Sequence, residues 1–129
     1  MISKELLRAV VGVNILADDV FIKNNNIYYA YCRSDNEWVN SVMNNYELSH
    51  KCKEWAIRQS NKENKIKYCE ITQIYTIFYK SKNTVSCYVH FYYEDGKDGA
   101  GKEFIAETEP EAIFKACEWI LKEINATNK

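Results

Sequence analysis

The sequence predicts an α+β fold, a single domain over residues 1–129 in which an antiparallel β-sheet carries about three packed helices. Helical periodicity occurs in three segments, strand-like runs lie between them, and the resulting order is α-β-β-β-α-β-β-β-α. The chain has 129 residues, of which 47% are hydrophobic and 27% charged. A chain of this size and composition can bury a core without a metal or disulfide.

The first two helices are marked by their caps. Ser3 is the expected N-cap of the first helix, and Gly12 is its expected stop. The second helix is expected to begin near Asn44 or Asn45, because Asn44 and Glu47 approximate a capping box. Both segments have apolar residues at helical spacing, namely Leu6, Leu7, Val10, Val11 and Leu48, Cys52, Trp55, Ala56.

The third helix has the strongest pattern in the chain. Thr108 is its expected N-cap, Glu111 completes a capping box, and Pro110 falls in the first turn, where its missing N–H costs nothing. Its solvent side offers the i,i+4 pairs Glu111–Lys115 and Glu118–Lys122. Its apolar stripe, which predicts packing on a large apolar surface, comprises Ala112, Ile113, Ala116, Cys117, Ile120, Leu121 and Ile124.

Strands are predicted at 20–23, 27–33, 38–43, 66–80, 84–94 and 102–107. Asn24, Asn25 and Asn26 predict a tight turn, since Asn tolerates left-handed backbone conformations. A second turn is expected at 81–83, and the run at 66–80 is long enough to bend or bulge.

The strand at 84–94 alternates between two kinds of residue. Its predicted core face consists of Val85, Cys87, Val89, Phe91 and Tyr93. Its second face consists of Ser86, Tyr88, His90 and Tyr92. This polar-aromatic face is either covered by a helix or available to a partner, since tyrosine packs its ring while its hydroxyl stays hydrated.

Catalytic and metal-binding motifs are not recognisable in the chain. The loop at 96–103 nearly matches a phosphate-binding loop, but Glu103 replaces the hydroxyl residue and a strand follows instead of a helix. His50 and Cys52 are two residues apart on a helix, and Cys87 and His90 are three apart on a strand, so neither pair can form a dyad. We therefore expect a non-enzymatic protein without cofactor or metal.

The five cysteines, which include no C-x-x-C pair, are expected to be reduced thiols that mostly serve the core. No apolar run is long enough for a membrane span, and no signal-peptide hydrophobic block begins the chain. A cytoplasmic protein without a membrane partner is therefore expected.

Charge is unevenly distributed although the formal net charge is only −1. Residues 51–82 carry eight basic and three acidic side chains, and residues 94–123 carry nine acidic and four basic ones. The acidic segment suits a basic groove on another protein. The basic segment, in which lysines alternate with tyrosines, suits a nucleic-acid strand. Both segments are equally compatible with ordinary solvated surfaces.

Three segments resemble small uncharacterised proteins of phages and prophages. They are the stretches at 2–7, 46–56 and 108–121, together 31 of the 129 residues, and the last is also similar to the helix that ends phage α-β-α sandwich domains. The resemblance implies a small accessory protein and carries no catalytic residues. Proteins of this class often bind and block host proteins, including CRISPR nucleases and other defence components.

Three functions follow as hypotheses. The first is a phage or prophage protein that inhibits a host defence protein, in the manner of an anti-CRISPR, through Tyr88, Tyr92, Asp95, Asp98, Glu103, Glu107 and Glu109. The second is a nucleic-acid-binding module that uses Lys62, Lys65, Lys67 and Tyr68. The third is a self-associating protein that pairs exposed strand edges, so that both a monomer and a homodimer remain open.

Overall fold

The computed structural model describes residues 2–12, 14–15, 20–32, 37–59, 66–79, 82–93, 96 and 101–125, with the backbone alone at 14–15, 21–22, 66–69, 72–75, 77–79 and 82–83. This part of the chain contains the helices α1 (Lys4–Val11), α2 (Asn45–Ile57) and α3 (Glu109–Asn125). Its strands are β1 (Asn14–Ile15), β2 (Phe21–Lys23), β3 (Asn26–Cys32), β4 (Trp38–Asn44), β5 (Ile66–Tyr79), β6 (Lys82–Tyr93) and β7 (Lys102–Ala106). The α+β prediction is confirmed, and the short β1 is an addition to it.

The strands form two antiparallel sheets. In the first, β4 pairs along the whole of β3, from Asn26 opposite Asn44 to Cys32 opposite Trp38, while β2 and β1 pair with parts of the other side of β3. In the second, β6 lies between β5 and β7. We call these the first sheet and the second sheet.

The turns follow the sequence closely. Asn24 and Asn25 adopt φ values of 52° and 65° in a two-residue turn between β2 and β3, as the asparagine run predicts. The long strand β5 has register shifts between Ile66 and Tyr68 and between Thr72 and Tyr75, which confirms the expected bulge. The turn was predicted to include residues 81–83, which is too many. Lys82 and Asn83 already belong to β6, because they pair with Tyr79 and Phe78 of β5.

The predicted helix caps are all present. The Ser3 hydroxyl accepts a hydrogen bond from the Leu6 N–H at 3.1 Å, and Gly12 ends α1 at φ 75°. Asn44 accepts from the Tyr46 N–H at 2.8 Å, and Thr108 accepts from the Glu111 N–H at 3.3 Å. Side chains with one short polar group therefore fix where each helix begins.

The buried hydrophobic residues form one cluster that joins all three helices to both sheets. Helix α3 is central to it, since Ile113, Phe114 and Ile120 are essentially inaccessible to solvent. Two of its small residues, Ala112 and Ala116, are also fully buried and allow close approach of neighbouring backbone. The Cys87 thiol, on β6, thus reaches the Ala112 carbonyl oxygen at 3.5 Å.

Two charged residues of α3 bond to backbone groups outside the helix. Glu118 accepts a hydrogen bond from the Ser3 backbone N–H at 2.8 Å, which ties α3 to the start of α1. Lys115 donates to the Ile105 carbonyl oxygen of β7 at 2.9 Å. These side chains stabilise tertiary contacts rather than the helix alone.

The substitution Ile120→Ala should destabilise the protein far more than Ile57→Ala. Ile120 is 0% exposed, so truncation leaves a cavity and lowers the free energy of unfolding by about 3 kcal/mol. Ile57, on α2, is 51% exposed, and the same truncation there should cost less than about 1 kcal/mol. Urea denaturation followed by circular dichroism measures both values. Equal losses would contradict the central position of α3 in the core.

Candidate protein interface

Strand β6 divides its side chains between the core and the opposite face of the second sheet. Val85, Cys87, Val89 and Phe91 are buried in the core cluster, as the alternation predicts. Tyr88, His90 and Tyr92 on the opposite face are each partly exposed. We define the polar-aromatic face by these three residues and Ser86, together with their neighbours in the sheet.

The strand register adds those neighbours. Glu103 of β7 lies opposite Tyr88, and Ile105 lies opposite Ser86. Glu70 of β5 lies opposite His90. Glu103 and Ile105 are exposed, and Glu70 is partly exposed, so carboxylates flank the aromatic residues from both sides.

The hydroxyl of Ser86 fixes the position of the Glu103 side chain. It donates a hydrogen bond to Glu103 Oε2 at 2.6 Å, a length typical of a charge-assisted bond. Ser86 itself is 0% exposed, and this bond satisfies its polar group. The Glu103 carboxylate therefore has a defined position beside Tyr88.

The ring of His90 lies between Tyr88 and Gly101. The Tyr88 and His90 ring centroids are 6.5 Å apart with an interplanar angle of 26°. A Cβ atom placed on Gly101 would lie 2.9 Å from His90 Cε1, so any other residue there would displace the ring. Glycine at this position allows the imidazole to lie flat against the backbone that leads into β7.

The predicted acidic contacts do not all belong to this face. Glu107 is exposed in the link between β7 and α3. Glu109 is partly exposed and is the first residue of α3, where a carboxylate also interacts favourably with the helix dipole. Asp95 and Asp98 lie outside the described residues.

The chain has no match among protein-family models, curated proteins or solved structures.

The two sites predicted as alternatives are adjacent in the second sheet. Tyr68 of β5, predicted to contact nucleic acid, lies opposite Tyr92 of β6 in the register. Lys67 falls at the β5 register shift that precedes Tyr68, and Lys62 and Lys65 lie outside the described residues. Glu70 follows Tyr68 by two residues and adds a negative charge where a phosphate would have to approach.

Sequence reasoning placed Tyr88 and Tyr92 correctly on the non-core side of β6. It also assigned Ser86 and His90 to that side without including them in the site. It missed Glu70, Gly101 and Ile105, because their membership depends on the pairing between strands. A correct register for the β6–β7 hairpin would have revealed Gly101 and Ile105.

The remaining motifs have structural roles. Lys102, the lysine of the phosphate-loop-like stretch, begins β7, and its ammonium lies 5.0 Å from the Trp119 ring centroid. The side chain of His50 is 69% exposed and pairs with Glu54 at 2.9 Å, whereas Cys52 is fully buried. Cys87 faces the core and His90 the other side. Neither pair is placed to form a dyad.

The described residues show no cluster of three or more His, Cys, Asp or Glu side chains arranged to hold a metal ion. None of the helices in the described ranges combines the length and apolar character required to cross a membrane.

A groove of about 510 Å³ lies between the start of α1 and the C-terminal half of α3. Two of its polar residues are already bonded to each other, because Ser3 donates its N–H to Glu118, and the Ser3 hydroxyl accepts from the Leu6 N–H. Leu121 adds an apolar wall.

The substitution Gly101→Ala should change the polar-aromatic face without unfolding the protein. The added methyl group collides with the His90 imidazole, which can rotate, so we expect a loss of only about 1 kcal/mol. The His90 and Tyr88 ring signals should shift in two-dimensional NMR spectra, while His50, exposed on α2, serves as the internal control. Unchanged His90 signals would contradict the close approach to Gly101.

Alkaline pH should destabilise the fold through Cys87. Burial, assisted by Glu103 and Glu109, raises the pKa of the Cys87 thiol from 9.0 to about 11. Between these values the unfolded chain loses the proton that the folded chain keeps, so stability falls as pH rises. Cys87→Ala lacks this effect, so the difference in unfolding free energy between wild type and variant should narrow from about pH 9 to about pH 11 in urea denaturation. A constant gap would contradict the raised pKa.

Proposed function

We propose that the chain is a non-enzymatic phage or prophage accessory protein that binds a host protein and inhibits a bacterial defence system, such as a CRISPR nuclease. It would act in the cytoplasm of the host cell. The phage origin rests on the resemblance of the three helical segments. The binding function rests on the polar-aromatic face.

The observation that carries the binding function is the placement of carboxylates beside partly exposed aromatic rings. Glu103 is held next to Tyr88 by Ser86, and Glu70 lies opposite His90. Tyrosine is common in protein interfaces, where its ring supplies contact area and its hydroxyl supplies a hydrogen bond. Fixed negative charges beside such rings suit a positively charged protein surface.

A nuclease groove that normally holds nucleic acid is such a surface. Lysine and arginine side chains that neutralise phosphates would meet Glu103 and Glu70 in place of the backbone. Acids positioned in advance would speed association and orient the two proteins. Glu70 disfavours nucleic acid as the partner, since it lies two residues from Tyr68, the aromatic residue of the alternative site.

A tagged pull-down from bacterial lysate, with and without nuclease treatment and read by mass spectrometry, separates the two partner classes. We expect one discrete protein that is retained after nuclease treatment. Recovery of many nucleic-acid proteins that are lost on nuclease treatment would favour the alternative module at 51–82. That module also requires binding to DNA or RNA that weakens steeply with salt.

Replacing one of the predicted acidic contacts by lysine should weaken capture of the retained protein by about tenfold. We would test Glu103→Lys and, because it leaves the Ser86–Glu103 bond intact, Glu107→Lys. Glu54→Lys on α2 is the matched control, since it makes the same charge change at another exposed site. Capture that both variants leave at wild-type strength would exclude Glu103 and Glu107 as contacts of the partner. Thermal unfolding of each variant verifies that the fold is intact.

A further inference from the structure

Strand β4 is an edge strand. It pairs with β3 along its whole length, and no other strand of the described residues pairs with its outer side. A row of backbone N–H and C=O groups at a sheet edge can pair with another extended strand. β4 is therefore a place where a further strand can join the first sheet.

Two features that usually prevent such pairing are missing from β4. Its seven residues include neither a charged side chain nor proline. The second sheet differs, because Lys115 donates to the Ile105 carbonyl oxygen of its edge strand β7, which itself carries Lys102 and Glu103. Charged residues are the common means by which sheet edges resist association.

The exposed face of β4 carries two large apolar side chains. Trp38 is 51% exposed and Val42 is 53% exposed, and both lie on the same side of the strand. They are separated by Asn40 and followed by Asn44, both exposed and neutral. A strand that pairs with β4 would therefore find two large apolar side chains to contact.

We propose that β4 pairs antiparallel with β4 of a second copy of this chain. A twofold axis at Ser41 places Trp38 opposite Asn44 of the second copy and Asn40 opposite Val42 of the second copy. Trp38 then lies diagonal to Val42 of the second copy, a separation that an aromatic side chain can bridge. The symmetry repeats this contact, so each exposed apolar residue gains an apolar cross-strand neighbour.

The charge pattern favours a second copy over the host partner proposed above. Because β4 is neutral, antiparallel self-pairing brings no like charges together. A basic partner finds no opposite charge on β4, whereas it does find the carboxylates of Glu103 and Glu70 on the second sheet. The β4 pairing is thus a separate property of the molecule and does not rest on the proposed function.

Sedimentation velocity on the full chain tests the pairing over protein concentrations from about 1 µM to about 1 mM, where small interfaces associate. We expect a concentration-dependent shift from monomer to dimer. If the native protein stays a monomer throughout this range, the proposal is overturned.

Charged variants locate the interface. Val42→Lys places two lysines diagonally across the twofold axis and should weaken the dimer by about tenfold or more. Val42→Glu should do the same, and an equimolar mixture of the two variants should restore association as a heterodimer. Asn40→Lys, at a second exposed position of β4, gives an independent variant if either change at Val42 impairs folding.

Ile57→Lys is the matched control, since Ile57 is equally exposed but lies at the end of α2. It should leave dimerisation unchanged. A dimer that tolerates Val42→Lys and Asn40→Lys, or one that Ile57→Lys weakens to the same extent, would overturn the assignment to β4. Failure of the lysine and glutamate variants to associate when mixed would also overturn it.

Discussion

The packing of α3 against both β6 and α2 is the constraint on which the rest of the structure depends. Its buried side chains form the centre of the one hydrophobic cluster, and its small residues let neighbouring backbone approach closely. The Cys117 thiol reaches the Cys52 carbonyl oxygen of α2, and the Cys87 thiol of β6 reaches the Ala112 carbonyl oxygen of α3. Because α3 holds the core side of β6, the alternating residues of that strand must face away from it. The polar-aromatic face is therefore a direct consequence of where α3 packs.

Local patterns made much of this fold predictable. Helix caps involve residues only two or three positions apart, so Ser3, Asn44 and Thr108 could be identified from the sequence. The division into two sheets could not, because it depends on which distant strands pair. Charged residues show the same limit. The i,i+4 rule identified the pairs Glu111–Lys115 and Glu118–Lys122, but not the bond from Lys115 to the Ile105 carbonyl or the bond from the Ser3 N–H to Glu118. A backbone partner without competing hydrogen bonds attracts a charged side chain more strongly than an exposed ion pair does.

The candidate site was predictable to a similar degree. Alternation along β6 identified Tyr88 and Tyr92, since period-two patterning needs only one strand. The contribution of Glu103 as a positioned carboxylate required its bond to Ser86, which spans two strands. The register also changed the relation between the two hypotheses, because Tyr68 lies opposite Tyr92 and both are part of one sheet. A binding surface made of adjacent strands is thus described correctly only after the strands have been paired.

The two surfaces of the molecule differ in the forces available to them. The polar-aromatic face combines rings with fixed negative charge, so the proposed binding to a basic partner would weaken as salt increases. The edge of β4 is neutral and apolar, and salt affects backbone pairing and apolar burial far less. Because a twofold dimer carries two copies of each surface, pairing through β4 would present two polar-aromatic faces to one target. If a target offered two basic sites at matching separation, the second contact would form at a high effective concentration. Self-association and target binding would then reinforce each other although they use different sheets.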